Sequence, residues 1–507
     1  MDGVPFEEEV VTEQPAPANP EGDEPIKQRK NGLYPGLSDE LAENMKTGWA
    51  DTELHDLQPV EQAPNTARRR AALSARFPGE RLVIPAGNLK TRSNDTEYSF
   101  RASTEYVHLT GDRTQDGILV LEPTAAGHEA TLYLLPRSDR ENGEFWLDGQ
   151  GELWVGRRHS LAEGEQLLGL PCKDVRTAAC ELEALGGPVR IVRGHDAGLE
   201  EALASSRGTS GTDADGDAAG DAERDEELRV FLSELRLVKD EFEIGQLQAA
   251  VDSTVRGFED VVKILDKAEA TSERYIEGTF FLRARVEGND IGYGSICAAG
   301  PHATTLHWVR NDGPVRSGEL LLLDAGVETH TLYTADVTRT LPVNGRFTEL
   351  QRKIYDAVYE AQEAGIAAVK PGAKYRDFHD AAQRVLAGKL VEWGLVEGPV
   401  ERVLELGLQR RWTLHGTGHM LGLDVHDCAV ARTETYVEGT LEPGMCLTVE
   451  PGLYFQADDL TVPEEFRGIG VRIEDDILVT EGGNRNLSAA LPRAADDVES
   501  WMARLKS

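Results

Sequence analysis

The chain has 507 residues, 40% of them hydrophobic and 28% charged, enough for two or three domains with ordinary cores. Lys and Arg number 53 against 89 Asp and Glu, a formal net charge of −36. That is the wrong sign for gripping a phosphate backbone, and no nucleic-acid partner is expected. Apolar runs such as residues 320–323 fall far short of the roughly 18 residues that cross a bilayer, so no membrane partner is expected either. Residues 1–10 are acidic where a secretory signal would be basic and then apolar, and the five cysteines lack paired spacing. Both features predict a cytoplasmic protein with reduced thiols.

Residues 1–60 are rich in Glu, Pro and Asn and read as a disordered or extended tail, because they hold too little apolar surface to offset ordering entropy. Residues 65–204 alternate short apolar runs (82–84, 118–121, 131–135) with polar or helical stretches, which predicts a small N-terminal α/β domain. The acidic, Gly- and Ala-rich run 205–227 reads as a low-complexity loop or linker between domains. A second domain then spans 228–495. It opens with Ile244, Leu247, Val251, Val255, Phe258 and Val262, whose spacing of three and four predicts one face of an amphipathic helix. Further helices are predicted from 350 to about 369, ended by Pro371-Gly372, and from 378 to 390. Strands are predicted over 319–324, 334–340, 446–450 and 471–479. The fold class is therefore α/β (α+β).

Each predicted strand carries a carboxylate, which a buried strand rarely keeps unless it is paired or metal-bound. Asp324 ends an apolar run, and Asp336 follows twelve residues later, a length at which a hairpin brings both to one face. Glu450 sits in Val449-Glu450-Pro451-Gly452 and Glu474 in Arg472-Ile473-Glu474-Asp475-Asp476. Converging, four like charges would repel, and divalent cations would remove the repulsion. Imidazoles add to the set. His415, His419 and His426 fall within one short segment, and His307 precedes Trp308, in a chain with 12 histidines in all. Taken singly, a histidine is most often a surface or hydrogen-bonded structural residue, and Asp324 reads equally as a turn cap before Gly326. Arg339 and Arg472 could also neutralise Asp336 and Glu474 as plain ion pairs, although two arginines cannot easily hold four acids.

The order Asp324, Asp336, His419, Glu450, Glu474 resembles that of the dinuclear "pita-bread" metallopeptidases, which include methionine aminopeptidase, prolidase and aminopeptidase P. Segments 415–427, 441–454 and 467–476 resemble aminopeptidase P closely. So do Thr91-Arg92-Ser93, Glu97-Tyr98, Phe100-Arg101 and Leu109-Thr110-Gly111 in the smaller domain, and the likeness covers about residues 65–495. It implies a small N-terminal domain followed by a C-terminal pita-bread domain.

The resemblance makes Asp324 a ligand of one metal, Asp336 and Glu474 bridges between two, and His419 and Glu450 ligands of the other. Two divalent cations are implied, Mn first, with Co or Zn as alternatives. Cations sharing a water lower its pKa from about 15.7 toward neutrality and supply hydroxide to a peptide carbonyl. Glu450 would also shuttle a proton, His307 and His426 would bond the substrate and its tetrahedral intermediate, His415 would shape the pocket, and Arg472 would orient Glu474 or bind peptide. The implied activity is release of the first residue from peptides with proline second. Trp154, in Leu153-Trp154-Val155, stands where the family places an aromatic residue that encloses a neighbouring subunit's site, which implies a homo-oligomer, dimer or tetramer. An interior strand Trp is the alternative at that position.

Two departures stand out: the Asp324 to Asp336 spacing is one residue longer than the family's, so the turn near 328–332 must absorb it, and the tail and the 205–227 run lie outside the family core. Prolidase, with the same ligands but confined to dipeptides, is the competing reading. A pita-bread protein that has lost catalysis and serves as a binding module, or a creatinase-like relative lacking the ligands, fits less well, since all five positions are filled.

Overall fold

The apolar runs of the first domain become one five-stranded sheet in the computed structural model, which describes residues 38–185, 187–207 and 214–507. Its order is Cys172–Asp174, Gly127–Leu134, Ile118–Thr124, Arg81–Pro85, Val189–Ile191, antiparallel across the centre and parallel at both edges. Leu82, Val83 and Ile84 are all fully buried, as a central strand covered on both faces requires.

The chain divides into two compact units: Met1–Leu54 with Pro136–Ser160, and His55–Leu135 with Leu161–Ser507. In the first, Arg158 donates to Pro136 O, Gln150 O, Ser138 Oγ and Glu144 Oε1, tying together the short helices Glu144–Leu147 and Glu152–Val155. Both domains read from the sequence otherwise lie in the second unit.

Of the tail expected over 1–60, residues 1–37 lie outside the described residues. The rest holds the helix Asp39–Met45 and then chain without helix or strand, and it is tied down where Leu57 N–H donates to Gln166 and Val60 N–H to Leu167 O. The run read as a loop or linker over 205–227 differs more. Residues 208–213 are outside the described set, but Ala197–Arg207 and Ala214–Leu235 are helices. The Ala and Glu residues favour helix enough to carry Gly216 and Gly220, and this run's anchors lie at its far end. Asp225 accepts from Ile191 N–H (2.8 Å) and Arg193 Nε (2.7 Å), while Leu228 and Leu232 are buried.

The periodic helix of the second domain is Glu241–Glu269, opened by a capping box between Asp240 and Glu243, with Leu247, Val251, Phe258 and Val262 fully buried. Helices Glu349–Ala368 and Arg376–Glu392 stand where predicted. The strands Ile296–Ala299, Leu320–Ala325 and Val337–Pro342 form one antiparallel sheet. Asp324 faces Thr338 across the ladder. The return from Glu328 runs through a turn in which Leu332 N–H bonds Thr329 O and Leu332 takes a left-handed φ of 70°. At Gly326 a Cβ would lie 1.7 Å from Ala335 O, so only glycine lets the two aspartate-bearing segments approach.

The strand expected over 471–479 is two strands, and its partner over 446–450 is likewise followed by a second. Cys446–Val449 pairs with Asp475–Thr480, and Gly452–Phe455 pairs with Ile469–Arg472. Between them lie Glu450-Pro451 on one side and Ile473-Glu474 on the other. Proline has no N–H for the ladder, so pairing breaks there and resumes in a different sheet. The released groups find other partners: Glu450 N–H bonds Thr417 O, Glu474 N–H bonds Thr338 O, Gln362 donates to Val449 O, and Arg339 donates to Glu474 O. Glu450 and Glu474 thus occupy matching breaks rather than strand positions.

Charged contacts join the small domain to the start of the Glu241–Glu269 helix. Arg69 lies 2.7 Å from Asp240 and 3.2 Å from Glu243. Burial works against the Glu243 charge, but His108 at 3.6 Å, Arg69 and Lys239 overcome it and hold the carboxyl at about 2. Burial lowers the His108 pKa in turn, so Arg69 and Lys239 are the lasting countercharges. A folded pKa below the unfolded one contributes stability above the unfolded value and loses it on acidification. Glu243→Gln should therefore flatten the loss of stability between pH 4.5 and about 2, at a cost of roughly 3 kcal/mol at neutral pH; urea unfolding across that pH range measures it.

Candidate metal centre

The two strand breaks, the aspartate hairpin and the glycine-rich segment before His419 converge. At Gly418 a Cβ would lie 2.0 Å from Thr448 O, so this segment can run against the Cys446–Val449 strand only without a side chain. His419 Nδ1 faces its neighbour's carbonyl, Met420 O, at 3.1 Å, which makes that nitrogen the donor and turns Nε2 toward Asp336 (3.3 Å) and Glu450 (3.6 Å). Donor atoms of Asp336, His419 and Glu474 all lie within 4.8 Å of one another, a spacing that can hold a metal ion.

Asp324, Asp336, Glu474 and the side chain of Glu450 are withdrawn from solvent. Burial raises the Asp324 carboxyl, with Asp336 adding to the effect against Arg472. Glu474 is pushed well above the carboxylate range by burial and then by Asp336, Glu450 and Asp324. Glu450 rises to about 7 through burial and the two aspartates, with His419 and Arg472 opposing. Burial disfavours a charge on His419, yet Asp336 and Glu450 outweigh it and raise that pKa to about 9. The cluster thus has more negative charge than Arg472 and His419 can neutralise, and its donors are hard oxygens with one imidazole. That composition fits divalent cations.

A chain of bonds runs from Asp324 to His415. Arg472 donates to Asp324 Oδ2 (2.5 Å), to Tyr454 Oη (2.9 Å) and to Thr338 Oγ1 (3.2 Å). Thr338 Oγ1 donates to Glu474 Oε2 (2.6 Å). Arg472 therefore touches Glu474 only through Thr338, and Arg339 pairs with Asp475 (2.7 Å), so neither arginine is the simple partner of Asp336 or Glu474 that an ion-pair reading supposes. The Tyr454 hydroxyl meets His415 Nε2 at 2.8 Å while His415 Nδ1 faces Gly416 O at 2.6 Å. His415 is thus a neutral Nδ1–H tautomer that accepts from Tyr454; burial and then Arg472 lower its pKa to about 4. The His426 ring stands edge-on to His419, centroids 4.3 Å apart, and burial and then His419 lower its pKa. His307 is exposed and near enough to depress both His415 and His426.

Sequence reasoning passed over three groups here. Tyr454 lies inside the quoted Val449-to-Tyr454 stretch, and its spacing from Glu450 was the available signal. Tyr293, whose hydroxyl donates to Asp324 Oδ1 (2.7 Å), and Thr338 gave none. Trp154 belongs to the other compact unit, on the helix Glu152–Val155, where it is 50% exposed; it is not an interior strand residue.

Metallopeptidase family M24 matches residues 245–481, and the aminopeptidase P N-terminal domain matches 66–184. Xaa-Pro aminopeptidase 1 of Streptomyces coelicolor is 79% identical over 501 residues, 98% of this chain and 99% of that protein. The chain belongs to the aminopeptidase P family. Xaa-Pro aminopeptidase of Escherichia coli is 33% identical over 86% of the chain and 96% of its own length. Zinc-substituted E. coli aminopeptidase P in complex with product superposes with a TM-score of 0.78 at 31% identity, covering 88% of this chain and 99% of that one. The Pseudomonas aeruginosa aminopeptidase PepP gives 0.76 at 29% identity, over 89% and 100%. Membership makes the chain a hydrolase, a metal-dependent exopeptidase, and implies divalent metal ions. It also confirms the two-domain expectation, an aminopeptidase P N-terminal domain before a pita-bread domain. Among the described residues no helix is long and apolar enough to cross a membrane.

Tyr454→Phe removes only the hydroxyl that joins Arg472 to His415. Peptidase kcat should fall about 10- to 100-fold, as losses of such supporting bonds do, with the melting temperature nearly unchanged. Steady-state kinetics beside a thermal melt reads both.

Proposed function

We propose that this aminopeptidase releases the first residue of peptides whose second residue is proline, using two divalent ions, with Mn(II) ahead of Co(II) and Zn(II). The observation that carries the reading is the grouping of Asp336, His419 and Glu474 donors within 4.8 Å, with Asp324 and Glu450 beside them; the 79% and 68% identical relatives, Xaa-Pro aminopeptidase 1 and 2, support the specificity. Asp324, Asp336, His419, Glu450 and Glu474 would hold the metals. When bound, the ions supply Lewis acidity to the peptide carbonyl and make a nearby water acidic.

The chain's own groups do the rest. Glu450 takes the proton of the attacking water and returns it to the departing amine. His426 and His307, both at the open side of the cluster, donate to the carbonyl oxygen as negative charge develops on it. His415, fixed as a neutral ring by Tyr454, shapes the pocket wall, and Arg472 holds Asp324 and, through Thr338, Glu474. A proline amide carries no N–H, so recognition at that position rests on shape rather than on a hydrogen bond.

Trp154, Leu153 and Val155 are each about half exposed, and this apolar triplet supports a contact with a second copy of the chain, in a dimer or tetramer. All five cysteines are free thiols, which supports the cytoplasmic placement.

Metal-stripped protein should release no amino acid from a tripeptide with proline second and regain activity with Mn(II); release confined to a proline dipeptide would make it a prolidase. Glu450→Gln should lower kcat by at least about 1,000-fold, the scale on which a ligand that also moves the proton is lost, while circular dichroism stays native; near-normal turnover refutes its role. Trp154→Ala should reduce the sedimentation coefficient, and an unchanged value removes the triplet from the interface.

A further inference from the structure

His307 is exposed on the connection between the strands Ile296–Ala299 and Leu320–Ala325, a stretch that holds one short 3-10 turn, Gly300–Thr304. An exposed imidazole on such a connection is useful only if the backbone beneath it is fixed. What fixes it is a carboxylate that no part of the site uses. Glu273, in the first turn of the helix Glu273–Glu287, is fully buried and accepts four hydrogen bonds. Oε1 takes Ala299 N–H (2.8 Å) and His302 Nδ1 (2.8 Å); Oε2 takes Trp308 Nε1–H (2.8 Å) and Gly313 N–H (2.7 Å). Its own N–H bonds Gly313 O at 2.9 Å. A carboxylate has about four lone-pair sites, and all four are used here.

These partners bracket His307. Ala299 and Gly313 close the loop at its two ends, and Trp308 is the next residue along. The His302 and Trp308 rings stack on each other, centroids 3.9 Å apart and 21° from parallel. At Gly313 a Cβ would meet His302 at 2.2 Å, so the closure requires glycine. One turn further along the same helix, Glu277 accepts from Asn311 Nδ2 (3.1 Å). On the other side of His307, Gln456 donates to Thr304 O and accepts from Thr304 Oγ1 (3.0 Å).

We propose that Glu273 is the positioning residue for His307: its charge organises the 299–313 loop and so sets the imidazole that meets the substrate. The proposal rests on the exopeptidase reading, because His307 has work only if that reaction occurs. Glu273 acts through the loop and touches no reacting atom. Glutamine cannot replace it, since an amide presents two donors where the loop also presents donors.

The test uses the full-length, Mn-loaded protein and a tripeptide with proline second, comparing wild type, Glu273→Gln, His307→Ala and the double variant. Glu273→Gln should lower kcat about 10- to 100-fold, with KM and bound metal nearly unchanged. The double variant should be no slower than His307→Ala alone, because residues acting as one unit do not multiply their losses. Glu273→Asp, which keeps the charge, should recover part of the rate. Wild-type kcat in Glu273→Gln, or multiplying losses in the double variant, overturns the proposal. If Glu273→Gln does not fold, Trp308→Phe removes one of the four donors alone and should give a smaller loss, again absent in the His307→Ala background. Normal turnover in His307→Ala overturns the proposal itself, since the loop then has nothing to position. Failure of the exopeptidase reading looks different, because the wild type then releases nothing. Hydrogen exchange then still decides the structural claim, and unchanged protection of the 299–313 loop in Glu273→Gln overturns it.

Discussion

Crowded, buried carboxylates are the constraint around which the second domain is organised. Asp324, Asp336, Glu450 and Glu474 sit together away from water, and the like charges of their neighbours help push three of them up toward the neutral form. Such an arrangement costs stability unless cations join it. The surrounding acids show the contrast. Asp475, adjacent to Glu474 and fully buried, is fully supplied by Arg339, Gln362, Ser488 and Arg493. Asp427, one residue beyond His426, is held by Arg236 and Lys239 and lies well below the carboxylate range despite its burial. Asp475 and Asp427 are thus compensated, whereas the four acids of the cluster are not.

The scaffold that holds this charge is built from interrupted strands. The register is the same on both sides of the break, Val449 opposite Asp475 and Gly452 opposite Arg472, so Glu450 and Glu474 stand opposite each other and share a face. Around Pro451 the ladder opens, and Thr417, Thr338, Gln362 and Arg339 take up the backbone groups. The histidines come from outside the sheets, on two connections, and each needs its own support. For the segment carrying His426, that support comes partly from the small domain. Thr104 donates to Asp424 (2.7 Å), Arg101 to Leu423 O (2.6 Å), and Arg236 to both Asp427 and Glu105. The small domain thereby shares in holding the segment that carries His426.

Local chemistry made some of this legible in the sequence. The helix Glu241–Glu269 follows from an apolar period and a capping box, and the strand Leu320–Ala325 from an uninterrupted apolar run; both are decided within a few residues. The region of 214–227 was misjudged because its helix is anchored at Asp225, Leu228 and Leu232, near or beyond the end of the acidic stretch. The single strand expected over 471–479 was misjudged because what interrupts it is a proline in its partner, twenty residues earlier in the chain.

By itself the sequence determined which donors are present and in what order: four acids on short apolar segments, a histidine cluster, and glycines where backbones must touch. These are properties of residue type and spacing, and they sufficed to name the metal-ligand chemistry. Only the tertiary structure decided which of many acids stay uncompensated: Asp475 and Glu474 are neighbours in sequence, yet Arg339 and Arg493 reach the Asp475 carboxylate while Arg339 meets Glu474 only at its backbone carbonyl. It also decided that Arg472 serves Asp324, that Tyr454 fixes the His415 tautomer, and that Glu273 holds the His307 loop. Those contacts join residues from 35 to 148 positions apart, and a pairing at that distance is set by how the sheets and helices pack, which no local pattern records.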